Sequence, residues 1–521
     1  MVRYRMETGM KVKGKLEIQL NSFFEPIYDN VHDVPVFKLL IDGKWRSAEN
    51  HETFEVKSPI DLSTVARAQM ASPEDVKSAI DAADKNQNKI RDIPGIGRVE
   101  MFRKAADILS QHMEEFINTL MLESGKIRED AEGEVQATID RMKLTMEEAR
   151  SIFGEYIPGD WSEDTTQKMA LVIRQPVGIV AAISPFNYPL FIGSAKIIPS
   201  LLAGNAVVAK CASADPLVML MYGRVLEEAG LPKGVLNIVT GTGDDIGSAL
   251  VSDERVGAIN FTGSTGVGKF IAQHAGIKKL HLELGGKGMA IVLDDANLDL
   301  AANKCVAGSL KNAGQRCDAI SAVLVQENVA DEFVDKVDKQ MDKWVGGDPR
   351  NKDTRVGPLI SQRAAEWVHS LVQDAIDKGA DLRKGGNFKD CYHEPTLLDK
   401  VPQSARIAWE ETFGPVVTVM RVKDENEAID IGSKSRYGLD SCIFTESFYR
   451  MWKISKQLKV GGITINDLPK HGVGFFPFGG SKESGIGREG IGFSIDEMTY
   501  LKTIVFNLEP AGLGKAKRRY L

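Results

Sequence analysis

At positions 312–319 the chain reads NAGQRCDA, a cysteine directly after an arginine in a small polar loop where an apolar helical pattern stops. A thiol attacks as its thiolate, and the neighbouring Arg316 charge favours that form, which makes Cys317 a candidate nucleophile. The other cysteines, Cys211, Cys305, Cys391 and Cys442, lie in helical or strand-like segments and read as packing. Five cysteines, odd in number and widely spaced, do not describe a disulfide framework and fit a reducing, cytoplasmic setting. The eight histidines form no HxxxH or His/Cys cluster, so no metal site is expected.

Two further stretches carry chemistry. AINFTGSTGVGKF (258–270) reads as strand, Gly-rich turn and helix start, where Gly263, Gly266 and Gly268 let backbone N–H groups approach a phosphate. It matches the GxxxxGK part of a P-loop, but Phe270 stands where a Ser or Thr hydroxyl must hold magnesium, which excludes a nucleotide hydrolase. It is not GxGxxG either, so the loop alone reads equally as a phosphate cradle or a tight turn. Glu283 closes an apolar strand in LELGG; such a carboxylate is ordinarily a solvated strand end, but Gly285 and Gly286 beside it allow a cofactor to pack closely.

The elements that must position these groups follow from periodicity. Residues 98–154 carry apolar side chains at three- and four-residue spacing, predicting two amphipathic helices that end at Gly125 and Gly154. From 177 short apolar runs (177–184, 205–210, 235–240, 258–263, 279–284) alternate with helical segments such as 215–230. A second set follows at 289–293, 321–326, 417–422, 441–445 and 461–465, so the chain reads as two α/β domains with parallel sheets, changing near 285. Two stray strands, within 156–175 and at 500–509, are expected to pair with each other or with a neighbouring subunit.

The chain of 521 residues is 43% apolar with a net charge of −7, which suits a globular protein and gives no electrostatic footprint for nucleic acid. The cluster Lys515, Lys517, Arg518 and Arg519 reads as a solvated tail, the first twenty residues lack the apolar core of a signal peptide, and no run is long enough to span a membrane.

Seven motifs in one order decide the reading: PFNYP (185–189), AKCAS (209–213), FTGSTGVG (261–268), LELGGK (282–287), GQRC (314–317), EETFGPV (410–416) and PFGGSKESGIGREG (477–490). Together they resemble the aldehyde dehydrogenase superfamily from about residue 35 to 507. The resemblance implies an α/β, aldehyde dehydrogenase-like fold: a Rossmann-like cofactor domain, an α/β catalytic domain and a small β oligomerisation element. It divides the chain into an N-terminal extension (1–30), an NAD(P)-binding domain (31–155 and 176–285), a catalytic domain (286–485), and an oligomerisation element with the C-terminal tail (156–175 and 486–521). It further implies a homo-oligomer, by expectation a tetramer.

Residue by residue, the resemblance makes Cys317 the nucleophile, Asn187 the side-chain donor to the oxyanion, and Glu283 the base that activates the deacylating water. Glu283 also speaks against the coenzyme-A-acylating branch, which does not use it. Lys210 and Glu411 match the residues holding the two riboses, Phe413 packs by the nicotinamide and Ser264 meets the pyrophosphate. Gly243, Phe261 and Gly263 complete the expected cofactor set. Ser213 stands where many NAD-preferring relatives carry a glutamate, so NADP is expected to be preferred, with NAD accepted.

Within the superfamily, YIPGDW (156–161), GQRCDAI (314–320), KSPIDL (57–62), YGLD (437–440) and NDLPKHGVGFFPFGG (466–480) resemble the archaeal-type non-phosphorylating glyceraldehyde-3-phosphate dehydrogenases. The implied reaction is direct oxidation of glyceraldehyde 3-phosphate to 3-phosphoglycerate. Arg316 is retained, but two phosphate-contacting arginines are not: Ala137 or a neighbour stands at the first, with Arg141 one turn away on the same helix, and His471 at the second, beside Lys470. Arg316, Lys470, His471 and Arg141 are therefore the candidate phosphate ligands. The other readings are a dehydrogenase of a non-phosphorylated aldehyde, such as glyceraldehyde or a semialdehyde, and a catalytically silent structural relative.

Overall fold

The computed structural model describes residues 16–508, so the basic tail cluster and the extreme N-terminus lie outside the described residues. Its first sheet is built on Ile179–Ile183, which pairs in parallel with Ala206–Lys210 on one side and Val256–Thr262 on the other. Leu236–Val239 lies beyond the former and Lys279–Glu283 beyond the latter, again parallel. The three central strands and Leu236–Val239 are buried almost throughout, because helices cover both faces and leave no side for polar alternation. Antiparallel edges complete eight strands, with Leu39–Ile41 and Lys44–Arg46 at one end and Gly485–Ile486 at the other.

Chain order reverses across Ile179–Ile183, since one neighbour follows it directly and the other comes two strands later. Such a switch point opens a crevice at the carboxyl ends of the strands, where ligands bind in open α/β sheets. The loops leaving Ile183, Lys210, Thr262 and Glu283 all emerge at that end.

The second sheet has seven strands and begins at Gly288, five residues after the first sheet's Glu283. Five of them, Gly288–Val292, Ile320–Gln326, Val416–Val422, Asp440–Phe444 and Gly462–Ile465, lie on the runs read from the sequence. Thr396–Asp399 and the antiparallel Asp381–Lys384 add an edge that periodicity did not reveal, both being only four residues long. Also unread was a four-stranded N-terminal sheet made of Tyr28–Val31, Val34–Phe37, Thr53–Lys57 and Thr64–Gln69. The two stray strands pair with each other: Lys168–Pro176 runs antiparallel to Thr499–Asn507 over nine residues, with Glu155–Pro158 on its other edge.

The helical region 98–154 is more broken than predicted. Its first half is Gly95–Gln111 and Met113–Ser124, interrupted at His112 and capped by Gly125 with φ 72°. Its second half is Arg128–Lys143, a short Thr145–Ala149 and a 3-10 turn to Ile152. Gly154 is not a left-handed cap. It is required because a Cβ there would lie 2.1 Å from the Val172 carbonyl oxygen. Among the described residues no helix is long and apolar enough to cross a membrane.

Candidate active site

Cys317 is aimed by an unusual turn. After the helix Leu298–Leu310 the backbone passes through Asn312 (φ 54°), Ala313 (φ 53°) and Gly314 (φ 73°), three left-handed residues in a row. A non-glycine residue costs roughly 1–2 kcal/mol in that conformation, so the surroundings must hold it. The Asn312 N–H donates to Asp130 Oδ2 at 3.2 Å, and its side-chain Nδ2 donates to the Asn187 carbonyl at 3.2 Å. A Cβ on Gly314 would sit 2.1 Å from the Gly414 carbonyl, so glycine lets the thiol loop press against the loop carrying Phe413. Likewise a Cβ on Gly286 would meet the Cys317 carbonyl at 2.3 Å, so this glycine makes room for the thiol loop rather than for a cofactor.

Asn187 is buried and tied to the same turn through its carbonyl. The helix that follows it, Pro189–Leu202, is capped from another element: Glu134 Oε1 accepts from the N–H groups of Leu190 and Phe191 at 2.9 and 3.1 Å. Lys126 pairs with Glu134 Oε2 at 2.6 Å and stands 3.8 Å over the Tyr188 ring. The Cys317 loop and Asn187 are thus fixed by one connected set of buried contacts.

Arg316 shares its charge between the thiol and a carboxylate, since it is attracted to both Cys317 and Asp318. Its Nε and Nη2 donate to Asp318 at 3.1 and 2.8 Å, and Nη2 also reaches the Pro469 carbonyl at 3.4 Å. Cys317 is only partly buried; desolvation pushes its thiol well above the ordinary range, the carboxylates of Asp318, Glu283, Asp440 and Glu411 push the same way, and the Arg316 charge opposes them. Arg316 is 8% exposed and its Nη1 has no protein partner, leaving one free buried donor.

The other candidate phosphate ligands are dispersed. Arg141 is 1% exposed rather than solvated; it pairs with Glu148 at 2.9 Å and reaches the Val473 carbonyl at 3.3 Å, so it anchors the 473 loop. Lys470 is 63% exposed, 3.8 Å from Asp467. His471 Nε2 lies 3.0 Å from Asp440 Oδ2, which raises the affinity of the ring for its proton over the loss from burial. Asp318, Asp440 and His471 converge within 4.8 Å, and the Arg316 fork already balances the first of them.

Glu283 is 2% exposed, and burial holds its carboxyl well above the usual range, with Glu489 adding to the effect. Its Oε1 lies 3.1 Å from His281 Nε2, while Oε2 has no protein partner. His281 Nδ1 is 2.9 Å from Asn260 Oδ1, which also accepts from Lys196 Nζ at 2.9 Å, and Lys196 pairs with Glu489 at 3.3 Å.

The cofactor candidates line the crevice at the switch point. Lys210 ends its strand, 7% exposed, and its ammonium bonds only the adjacent Cys211 carbonyl at 3.2 Å; burial lowers its hold on its proton. Ser213 donates to the Gly241 carbonyl at 2.9 Å. Ser264 is the N-cap of Thr265–His274, accepting from the Val267 N–H at 3.3 Å. A Cβ on Gly266 or Gly243 would meet nothing within 4 Å, so those backbones face open space at helix starts. Gly263 and Gly268 serve packing instead: a Cβ would strike the Phe261 ring at 2.5 Å or Leu284 at 2.3 Å. Glu411 Oε1 accepts from the Gly286 N–H at 2.9 Å, and burial raises its carboxyl to about 7. Phe413, left-handed at φ 49°, packs edge-on to Phe186 at 5.7 Å. An underpartnered lysine, helix starts with open space beside Gly243 and Gly266, and an aromatic wall fit a dinucleotide phosphate ester.

Sequence reasoning missed Asp318, Asp440, His281, Asn260, Lys196, Glu489 and Glu134. Asp318, Asp440, Asn260 and Glu489 lay inside quoted segments and His281 inside the strand run 279–284, but nothing local marked their roles, and Lys196 and Glu134 carry no local signal because their partners are far along the chain.

The chain matches the aldehyde dehydrogenase family over residues 45–504. It is 39% identical to an NADP-dependent glyceraldehyde-3-phosphate dehydrogenase of Streptococcus equinus, covering 91% of this chain and 99% of that one. It is 37% identical to a lactaldehyde dehydrogenase of Methanocaldococcus jannaschii, covering 90% and 100%. Among solved structures it superimposes with a TM-score of 0.89 on the NADP-dependent glyceraldehyde-3-phosphate dehydrogenase of Bacillus halodurans complexed with NADP, at 39% identity, covering 90% and 99% of the two chains.

Proposed function

Because the chain belongs to the aldehyde dehydrogenase family, we propose that it oxidises glyceraldehyde 3-phosphate to 3-phosphoglycerate, with NADP preferred over NAD. The single observation that carries the substrate is the buried Arg316 beside Cys317, with Nη1 unpartnered. A phosphate oxygen there gains a charge-assisted hydrogen bond, of roughly 1.5–3 kcal/mol in a favourable site.

In this reading the Cys317 S–H bond breaks with its proton passing to water, Sγ attacks the aldehyde carbonyl, and the oxyanion is held by the Asn187 side chain and the Cys317 N–H. A preorganised donor of this kind contributes on the order of 100–1,000-fold in rate. Lys210 and Ser213 hold the adenosine ribose, Ser264 and its helix start the pyrophosphate, Glu411 the other ribose, with Gly243, Phe261, Gly263 and Phe413 along the walls. NADP, when bound, supplies the hydride acceptor. Glu283 takes a proton from water as its oxygen attacks the Cys317 thioester, the C–S bond breaks, and the acid leaves.

A second reading has its own support. The Arg316 fork is already balanced by Asp318, with Asp440 close by, an arrangement that suits a hydroxyl better than a dianion. Glyceraldehyde or another uncharged hydroxyaldehyde is then the substrate, as the likeness to a lactaldehyde dehydrogenase also suggests. The exposed apolar side chains on the Lys168–Pro176 and Thr499–Asn507 sheet, including Leu171, Leu501, Val505 and Phe506, support assembly into a homo-oligomer, for which we propose a tetramer. The test is a nicotinamide absorbance assay with glyceraldehyde 3-phosphate, glyceraldehyde, lactaldehyde and succinic semialdehyde, each with NADP and NAD. Preference for an uncharged aldehyde sinks the phosphate reading, and no turnover of any of them sinks the enzyme.

A further inference from the structure

We propose that His281 is the proton-sharing partner of Glu283: its ring offers Nε2 as a lone pair and accepts the hydrogen bond of the carboxylic acid that forms when Glu283 takes the water proton. The proposal rests on the reading of Glu283 as the base and assigns a positioning role to a residue outside the motif.

The polarity of the contact follows from its far end. A lysine ammonium has only donors, so the Asn260 atom 2.9 Å from Lys196 Nζ is the carbonyl oxygen. That same Oδ1 lies 2.9 Å from His281 Nδ1, which must therefore carry the ring proton to avoid two facing lone pairs. Burial makes His281 hard to protonate, down to about 3, so the imidazole is neutral and has a single N–H. Nε2 is left as an acceptor, 3.1 Å from Glu283 Oε1. A bare carboxylate there would oppose lone pair to lone pair, whereas the protonated acid makes a good bond. The dyad therefore favours the state Glu283 reaches after accepting the proton. Around the pair stand Lys196 from its helix, Glu489 and Arg488 from the Gly-rich segment, and Asp440 from the second sheet. Lys196 and Glu489 offset one another at 3.3 Å.

In the step itself the water O–H breaks, its oxygen bonds the thioester carbon, the proton passes to Glu283, and the electrons of the C–S bond leave with Cys317. His281 takes no net charge.

The experiment compares deacylation against pH in the unmodified enzyme, His281→Phe and His281→Met. Both remove the acceptor, Met at nearly the volume of histidine and Phe with a larger ring, so the acid form of Glu283 loses its bond. The acid limb of deacylation is expected to move down by about half a pH unit or more, while the nicotinamide burst stays near one per site. An unmoved limb means His281 only packs, and an upward shift means it donates to the carboxylate; either overturns the proposal. If neither variant folds, Asn260→Ser replaces them, since it leaves the dyad and frees the ring to switch tautomer, again lowering the limb. An unmoved limb there overturns the proposal equally. Steady turnover by Glu283→Gln would instead remove the parent reading of the base, an outcome distinct from these.

Discussion

Arg316 grips Asp318 through two N–H bonds, Nε to Oδ1 at 3.1 Å and Nη2 to Oδ2 at 2.8 Å, so it meets the nucleophile as half of an ion pair with only Nη1 free. A phosphorylated substrate must be recognised by what that pair leaves over. If it is, glyceraldehyde 3-phosphate should exceed glyceraldehyde in kcat/KM by about tenfold or more, since 1.4 kcal/mol is one decade. Arg316→Ala should narrow the gap, and Asp318→Asn, which releases the fork, should widen it. Equal kcat/KM for the two aldehydes in the unmodified enzyme moves the protein to the uncharged-substrate reading.

Cys317 itself stays a thiol despite the Arg316 charge beside it. Burial and the surrounding carboxylates hold its proton on well above the ordinary range, and only the thiolate is alkylated. Without cofactor, Cys317 modification by iodoacetamide should therefore accelerate about tenfold per pH unit between roughly pH 7 and 9, without a plateau. The rate is read as the difference from Cys317→Ala, which subtracts the four buried cysteines. A plateau below about pH 8 would show that an unrecognised charge stabilises the thiolate.

Nucleophile and base should separate cleanly in pre-steady-state kinetics. Cys317→Ala should lose aldehyde oxidation and keep NADP binding. Glu283→Gln should release about one nicotinamide equivalent per site and then nearly stop, because the thioester still forms but its water is not activated. Loss of the burst along with turnover would assign Glu283 to an earlier step.

The two α/β layers were legible because each buried parallel strand is a short apolar run between helical stretches, and the residues at the strand ends fell inside quoted motifs. What stayed hidden were contacts between distant segments. Nothing local in Glu134 announces that it caps the helix after Asn187 across more than fifty residues. His281 sits two residues before the expected base, yet its meaning depends on Asn260 and Lys196, one on the neighbouring strand and the other on a helix. Arg316 was legible only in part: sequence adjacency put its charge beside the thiol, and Asp318, two residues on, shares it.

In the proposed function, cofactor choice turns on Ser213. Its hydroxyl is turned to the Gly241 carbonyl at 2.9 Å, and no carboxylate stands at that position beside the Lys210 ammonium, which has only a backbone partner. A 2′-phosphate placed there meets a cation and no like charge, so NADP should outperform NAD in kcat/KM. Ser213→Glu sets a carboxylate against that phosphate, and like-charge contacts are a strong means of rejecting a partner. The variant should lose about tenfold or more in kcat/KM for NADP, roughly 1.4 kcal/mol or more, and change little with NAD. Its burst with NAD should remain, which separates a change in cofactor binding from damage to the thiol site. If the unmodified enzyme used NAD about tenfold better than NADP, or if Ser213→Glu left NADP kinetics untouched, the 2′-phosphate would have to lie elsewhere.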